Sequence, residues 1–335
     1  MKQKQIVAVG PKKNTIREID IPVPNDDQLL IKTKYVGVCH SEHDDWKVAE
    51  AGMTFGHEPM GIVEQVGKNV TGFKVGDRVS GMWGGTLPGS GGMVQYAIAD
   101  PVKEVVIKLP DNVRDEDLIV EPLSCMMSAV SKAKVQMPGT HVAVVGCGYM
   151  GCGAISLLKL RGCYVVAIDK RQTSLEDAKK YGADEVYTVE EAKEKFLHGN
   201  LTDGFKVVME WGAGLDPEEG SDSLDLAVNL TALRGQLCVA DYHTGGKRTV
   251  DVQQLGVKAI EMLNTHPREE WLSREGAENA VEMLANGSWN YKDIPVKIFP
   301  LNKFDEAQAE QYDKYGKYMK AIIDMTMEDG EPYIL

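Results

Sequence analysis

Apolar and polar positions follow two different rhythms along this chain. From residue 4 to about residue 99, short β-branched runs at 29–35, 61–66, 78–80 and 94–98 are separated by Gly and Pro. Branched side chains suit a pleated surface and Gly or Pro ends a strand, so this stretch predicts a small, irregular β domain. The rhythm changes near Glu121, where a helical pattern over 124–134 leads through Met137-Pro138-Gly139 into an apolar strand at 142–145. A glycine-rich turn, a helix and a second strand at 165–168 follow, and the alternation continues through strands at 206–209 and 237–240. Strand-helix-strand alternation of this kind predicts an α/β unit with a doubly wound parallel sheet. Beyond about residue 266 come a helical stretch at 277–285, a strand at 296–300 and an apolar segment at 319–325. Periodicity alone leaves open whether these extend the parallel sheet or return to the first domain.

Composition narrows the classes. The chain has 335 residues, 43% apolar and 26% charged, enough to bury one or two cores, so two domains are expected. With 50 acidic against 37 basic side chains the net charge is −13 and no basic cluster stands out, which disfavours nucleic acid as a partner. The apolar run at 6–9 is too short for a signal peptide, and no run approaches the roughly 20 residues of a membrane span. A cytoplasmic protein is therefore expected. The six cysteines lack paired spacing and predict no disulfide framework.

Gly146-Cys147-Gly148-Tyr149-Met150-Gly151 directly follows the strand at 142–145 and opens a helix whose Ala154, Ile155, Leu157 and Leu158 would pack on the sheet. That is the full context of a dinucleotide-binding fingerprint: Gly146 makes the tight turn, Gly148 admits the pyrophosphate and Gly151 lets helix and strand approach. Phosphate charge would rest on free backbone N–H groups at the positive end of the helix. Asp169, 18 residues after Gly151, ends the next strand, where a carboxylate accepts ribose hydroxyls and repels a 2′-phosphate, favouring NAD. The adjacent Lys170 and Arg171 pull the other way.

Three upstream stretches carry metal-ligand types: Cys39-His40-Ser41-Glu42-His43-Asp44, Gly56-His57-Glu58, and Glu121-Pro122-Leu123-Ser124-Cys125. None has the CxxC spacing of a structural zinc site, whereas a catalytic site draws about three ligands from dispersed loops. The run Gly56-His57-Glu58-Pro59-Met60-Gly61 with Gly67 and Val70, then Gly76-Asp77-Arg78-Val79 and the glycine loop, resembles the zinc-containing medium-chain dehydrogenase/reductase family over essentially the whole length. Glu121-Pro122-Leu123-Ser124 is closest in pattern to its sorbitol/polyol dehydrogenase branch.

The resemblance implies a GroES-like catalytic domain at 1–122 and 266–335 around a Rossmann NAD-binding domain at 123–265. It implies one catalytic zinc per subunit, with Cys39 and His57 as ligands, Glu58 as a direct or exchangeable ligand, and Glu121 as a ligand directly or through water. Ser41 would relay the substrate proton and Glu42 would orient a zinc histidine. His40 and His43 remain alternative ligands. Residues 80–100 contain no cysteine, so the family's second, structural zinc is not expected. The histidine that often ends the proton relay is replaced by Asp44, and the segment from Cys39 to His57 is short for the family. Asn264, His266 and Arg268 fall where the family contacts the nicotinamide, and Tyr242 and His243 follow another strand end. Trp46 and Trp83 are candidates for a pocket wall or for core packing. The function implied is NAD-linked, zinc-dependent oxidation of a secondary alcohol, a polyol, sugar or cyclitol, by a homodimer or homotetramer. Two rivals are a zinc-free NADPH-dependent quinone or enone reductase of the same superfamily and a non-catalytic nucleotide-binding protein.

Overall fold

The computed structural model describes the whole chain except residues 84–91, 213–222, 243–247, 249, 268–269 and 313–316. It divides into two compact units: Met1–Ser124 with Glu269–Ser288 and Lys292–Leu335, and Cys125–Arg268 with Trp289–Tyr291. Among the described residues no helix is long and apolar enough to cross a membrane.

The first unit begins with β1 (Lys2–Gly10) and β2 (Lys13–Asp20), an antiparallel pair. β3 (Leu29–Gly37), α1 (Ser41–Lys47), β4 (Pro59–Val66), β5 (Arg78–Met82), β6 (Tyr96–Ala99), β7 (Val105–Lys108) and the start of α2 (Val120–Lys132) follow. The second unit holds β8 (His141–Val145), α3 (Tyr149–Leu160), β9 (Tyr164–Ile168), α4 (Gln172–Lys180), β10 (Glu185–Tyr187), α5 (Val189–Phe196), β11 (Phe205–Glu210), α6 (Ser223–Leu230), β12 (Thr231–Val239), α7 (Val252–Val257) and β13 (Glu261–Asn264). The chain then returns to the first unit with α8 (Glu270–Asn286), β14 (Val296–Pro300), α9 (Phe304–Ala309), β15 (Lys320–Asp324) and β16 (Tyr333–Ile334).

In the first unit an eight-stranded sheet runs β16-β14-β15-β3-β4-β5-β7, with β6 also paired to β3. The antiparallel pairing of β15 with β3 answers the question that periodicity left open, because it ties residues 320–324 to the strand preceding Cys39. Among the described residues, one apolar cluster of this unit gathers around Val36, Trp46, Phe55, Phe299 and Phe304, and another around Leu29, Ile31, Val63, Val79 and Trp83.

In the second unit all pairs of the six-stranded sheet β10-β9-β8-β11-β12-β13 are parallel. Parallel strands are covered on both faces and read as unbroken apolar runs. Val142, Ala143 and Val144 accordingly have 0% exposure, and Ala154, Ile155 and Leu158 of α3 are equally buried. Several elements were not visible in the sequence pattern, three of them near the start of the chain. The paired β1 and β2 were not anticipated, and the residues after Cys39 form the helix α1, which buries Glu42, His43 and Trp46. A seven-residue helix is too short to display an amphipathic period.

Candidate metal centre and glycine loop

β3 ends at Gly37, whose N–H donates to the Glu58 carbonyl at 3.0 Å. A Cβ at Gly37 would stand 1.8 Å from Glu58 Oε2, so the absence of a side chain there is what admits the glutamate. Val38 N donates to Ala321 O of β15, and Cys39 follows, half-buried. On the facing side, Gly56 turns with φ +95° and leads into the buried His57 and Glu58. Cys39 Sγ, a ring nitrogen of His57 and a carboxylate oxygen of Glu58 thereby lie within 4.8 Å of one another. Among the described residues this is the one group with such a donor set.

The surroundings prepare those donors. Glu42 Oε1, completely buried, accepts from Gly56 N at 2.6 Å and from His57 Nδ1 at 3.0 Å, while its Oε2 has no hydrogen-bonding partner. With Nδ1 donating to the carboxylate, Nε2 is left as the ring's ligating atom, the arrangement found behind metal-bound histidines. Burial opposes a charge on His57, but Glu42 and the Cys39 sulfur outweigh it and hold its pKa well above the ordinary histidine value. Ser41 Oγ donates to Cys39 Sγ at 3.2 Å, which places a hydroxyl at the edge of the centre. Lys320 Nζ lies 2.7 Å from Glu58 Oε1 and 2.6 Å from Oε2, both partners being buried. Burial opposes the Lys320 charge too, yet Glu58, Cys39 and Glu121 raise its pKa above the usual lysine range. A half-buried sulfur with buried nitrogen and oxygen donors, backed by an unsatisfied carboxylate oxygen, fits a borderline-soft divalent ion such as zinc.

Glu121, in the first turn of α2, lies outside the 4.8 Å group but is near enough to act on Lys320. His43 is also outside the group: it is buried, and its Nδ1 donates to Gln308 O at 2.9 Å. His40 stacks on it with centroids 5.9 Å apart. Asp44 pairs with Lys47 at 2.9 Å. Trp46 and Trp83 are core residues, with Trp46 Nε1 donating to Asp305.

In the second unit, Gly146 turns with φ +92° directly after β8. A Cβ on Gly151 would stand 1.9 Å from Gly146 O, so α3 can begin this close to the strand only with glycine there. Around Gly148 the nearest atom to such a Cβ is an Arg171 nitrogen 4.0 Å away, which leaves an opening over the loop. Together these form a cradle into which a phosphate group fits. The Asp169 carboxylate accepts from Cys147 N at 2.7 Å, Arg171 N at 2.9 Å and Arg171 Nε at 3.2 Å. Lys170 is exposed beside it. Tyr149 turns its ring toward Tyr291, at 5.7 Å, and Met150 is half-buried. At the far side of the sheet, the Tyr242 and His266 rings stand 5.5 Å apart and Asn264 Oδ1 accepts from His266 N at 2.9 Å. His243 and Arg268 lie outside the described residues.

Residues 25–111 match the alcohol dehydrogenase GroES-like domain, and residues 150–286 match the zinc-binding dehydrogenase family. This chain belongs to the zinc-containing medium-chain dehydrogenase/reductase family. An alcohol dehydrogenase of Geobacillus stearothermophilus is 33% identical over 210 residues, 53% of this chain and 61% of that protein. The sorbitol dehydrogenase of Macaca fascicularis is 27% identical over 99% of this chain and 98% of its own length. An Escherichia coli oxidoreductase of unknown specificity shares the fold, with TM-score 0.80 at 21% identity, covering 97% of this chain and 99% of that one. The dehydrogenase holds two polar groups that sequence reading passed over. Lys320 interrupts the apolar run 318–323, and that interruption is its only signal. Trp211, which follows β11, gave none.

Proposed function

We propose that this dehydrogenase transfers hydride between NAD(H) and a secondary alcohol or ketone, a polyol, sugar or cyclitol-like compound, with one zinc ion per subunit. The convergence of Cys39, His57 and Glu58 beside the Ser41 hydroxyl carries the reading. When bound, zinc supplies Lewis acidity that makes a substrate hydroxyl more acidic, and NAD supplies the hydride acceptor.

The chain's own groups do the rest. Cys39, His57 and Glu58 would hold the metal, with Glu121 joining directly or through water. Glu42 fixes the tautomer and tilt of His57 through its bond to Nδ1. Ser41 receives the substrate proton at Oγ and hands it outward. Lys320 holds the Glu58 side chain beside the centre through its contacts with both carboxylate oxygens. The N–H groups of the loop from Gly146 through Gly148, Tyr149, Met150 and Gly151 take the pyrophosphate. Asp169 takes the ribose hydroxyls, with Lys170 and Arg171 alongside, and its carboxylate supports NAD over NADP. Tyr242, Asn264 and His266 serve the nicotinamide end. Similarity to a sorbitol dehydrogenase over nearly the whole chain supports a polyol-like substrate. Edge strand β13, with Met262 42% exposed, supports a homodimer or homotetramer.

The test is metal content per subunit, with NAD reduction followed by absorbance over a panel of polyols and sugars before and after chelation. About one zinc per subunit and chelator-sensitive turnover are expected. Turnover of quinones or enones with NADPH in a metal-free protein would replace this reading with the zinc-free reductase. Cofactor binding without turnover of any alcohol or ketone would leave a nucleotide-binding protein.

A further inference from the structure

In an open parallel sheet, a ligand crevice forms outside the carboxyl ends of the two strands at which the strand order reverses. Here those strands are β8, which continues to β9 on one side, and β11 on the other. Gly146 leaves β8 and Trp211 leaves β11. The two exits are tied together: Trp211 N donates to Val145 O at 2.7 Å, and a Cβ on Gly146 would stand 2.6 Å from the Trp211 carbonyl carbon. The Trp211 side chain starts out beside the first turn of α3, because its Cβ is 3.8 Å from where a Cβ on Gly151 would be.

The indole is only 8% exposed, and its Nε1 is buried with no hydrogen-bonding partner. Trp46 and Trp289 behave differently, donating to Asp305 Oδ1 at 2.8 Å and to Ser156 Oγ at 2.7 Å. Trp83 Nε1 is also unpartnered, but it belongs to an apolar cluster of the first unit and not to the carboxyl ends of β8 and β11. Native structures rarely leave a buried donor unmet, and an indole N–H can be satisfied only by an acceptor. The pyrophosphate and its flanking riboses present acceptor oxygens along their length.

We infer that the Trp211 indole N–H is a cofactor-binding donor of this crevice, hydrogen-bonding an oxygen of the pyrophosphate-ribose segment of bound NAD(H). The inference rests on the dinucleotide reading above and adds to it a side-chain donor outside the glycine loop. No acceptor of the chain itself meets the Trp211 N–H, so its bond to the cofactor counts toward cofactor affinity.

The experiment uses full-length protein carrying 15N-indole tryptophan, titrated with NADH and followed through its five indole N–H resonances. The Trp211 resonance is the one absent from Trp211→Phe. On saturation it moves downfield and exchanges more slowly with solvent. Trp211→Phe binds NADH about five- to tenfold more weakly, with the same loss for ADP-ribose, which keeps the pyrophosphate and both riboses. If the wild type binds NADH while the resonance stays in place and Trp211→Phe binds within about twofold of it, the inference is overturned and the dinucleotide reading survives. If the wild type binds neither NADH nor NADPH, the dinucleotide reading fails and the inference with it. Should Trp211→Phe not fold, the wild-type resonance, assigned by elimination from the other four tryptophans, decides alone.

Discussion

Cys39 and Cys147 illustrate how little a residue type determines by itself. Cys39 is half-buried beside a serine hydroxyl and a histidine, while Cys147 is enclosed at the turn of the glycine loop. Burial, then Asp169 and Cys152, push the Cys147 thiol well above its ordinary pKa, and burial pushes Cys238 up to about 12. Because the thiolate is the nucleophile, iodoacetamide should alkylate Cys39 and Cys125 in the native protein and spare Cys147, Cys152, Cys163 and Cys238. Zinc should protect Cys39. Peptide mapping by mass spectrometry checks this, and early modification of Cys147 would contradict it. Lys320 allows a second test. Lys320→Met leaves Glu58 as a buried carboxylate without its partner and should destabilise the zinc-free protein by about 3–5 kcal/mol in urea unfolding. Added zinc should recover much of that loss by giving the carboxylate a cation, and an equal loss with and without zinc would show that Glu58 does not face the metal. His57 and Glu58 are legible in the sequence because their neighbours in the chain form a fingerprint. Lys320 is not, since its partner is 262 residues away.

At the scale of elements, the junction of β8 and α3 depends on a contact between backbones. Gly151→Ala would place a methyl group 1.9 Å from a carbonyl oxygen, with no flexible side chain to yield. It should destabilise the fold by about 1–3 kcal/mol and weaken NADH binding at least tenfold, both read from thermal melts and fluorescence titration. Wild-type affinity in this variant would remove the loop from the cofactor site. The outer strand β10 carries a separate, pH-linked device. Hydrogen bonds from Lys195, Tyr187 and Tyr164 pull the Glu185 pKa down to about 2, against about 4.3 in an unfolded chain. A lowered carboxylate pKa gives stability that is complete above the unfolded value and disappears as pH falls through the folded one. The stability difference between wild type and Glu185→Gln should therefore be constant above about pH 5 and shrink steadily toward pH 2 in denaturant titrations. A difference that does not vary with pH would mean that the ionised form gains nothing from these bonds. β8, β9, β11 and α3 were legible because each repeats its apolar period over a full element. α1 was not, because its buried face is made of Glu42, His43 and Trp46.

At the scale of the whole molecule, each unit has its own sheet and core, and each candidate ligand belongs to one unit. A ligand at about a hundred times its Kd stabilises the folded state by about 2.7 kcal/mol, and the effect concentrates where it binds. Zinc should slow amide exchange chiefly over residues 37–66 and 320–324, and NADH chiefly over 145–171. Hydrogen-exchange mass spectrometry measures both, and zinc protection confined to the second unit would place the metal elsewhere. The α/β class, the parallel sheet and the glycine loop were determined by sequence alone, because apolar period and turn geometry act between residues a few positions apart. Only the tertiary structure decided that β15 pairs with β3, that Lys320 meets Glu58 under Cys39, and that Trp211 stands against Gly146. Those are contacts between distant segments, and their energies depend on strand order and burial, which no local pattern encodes.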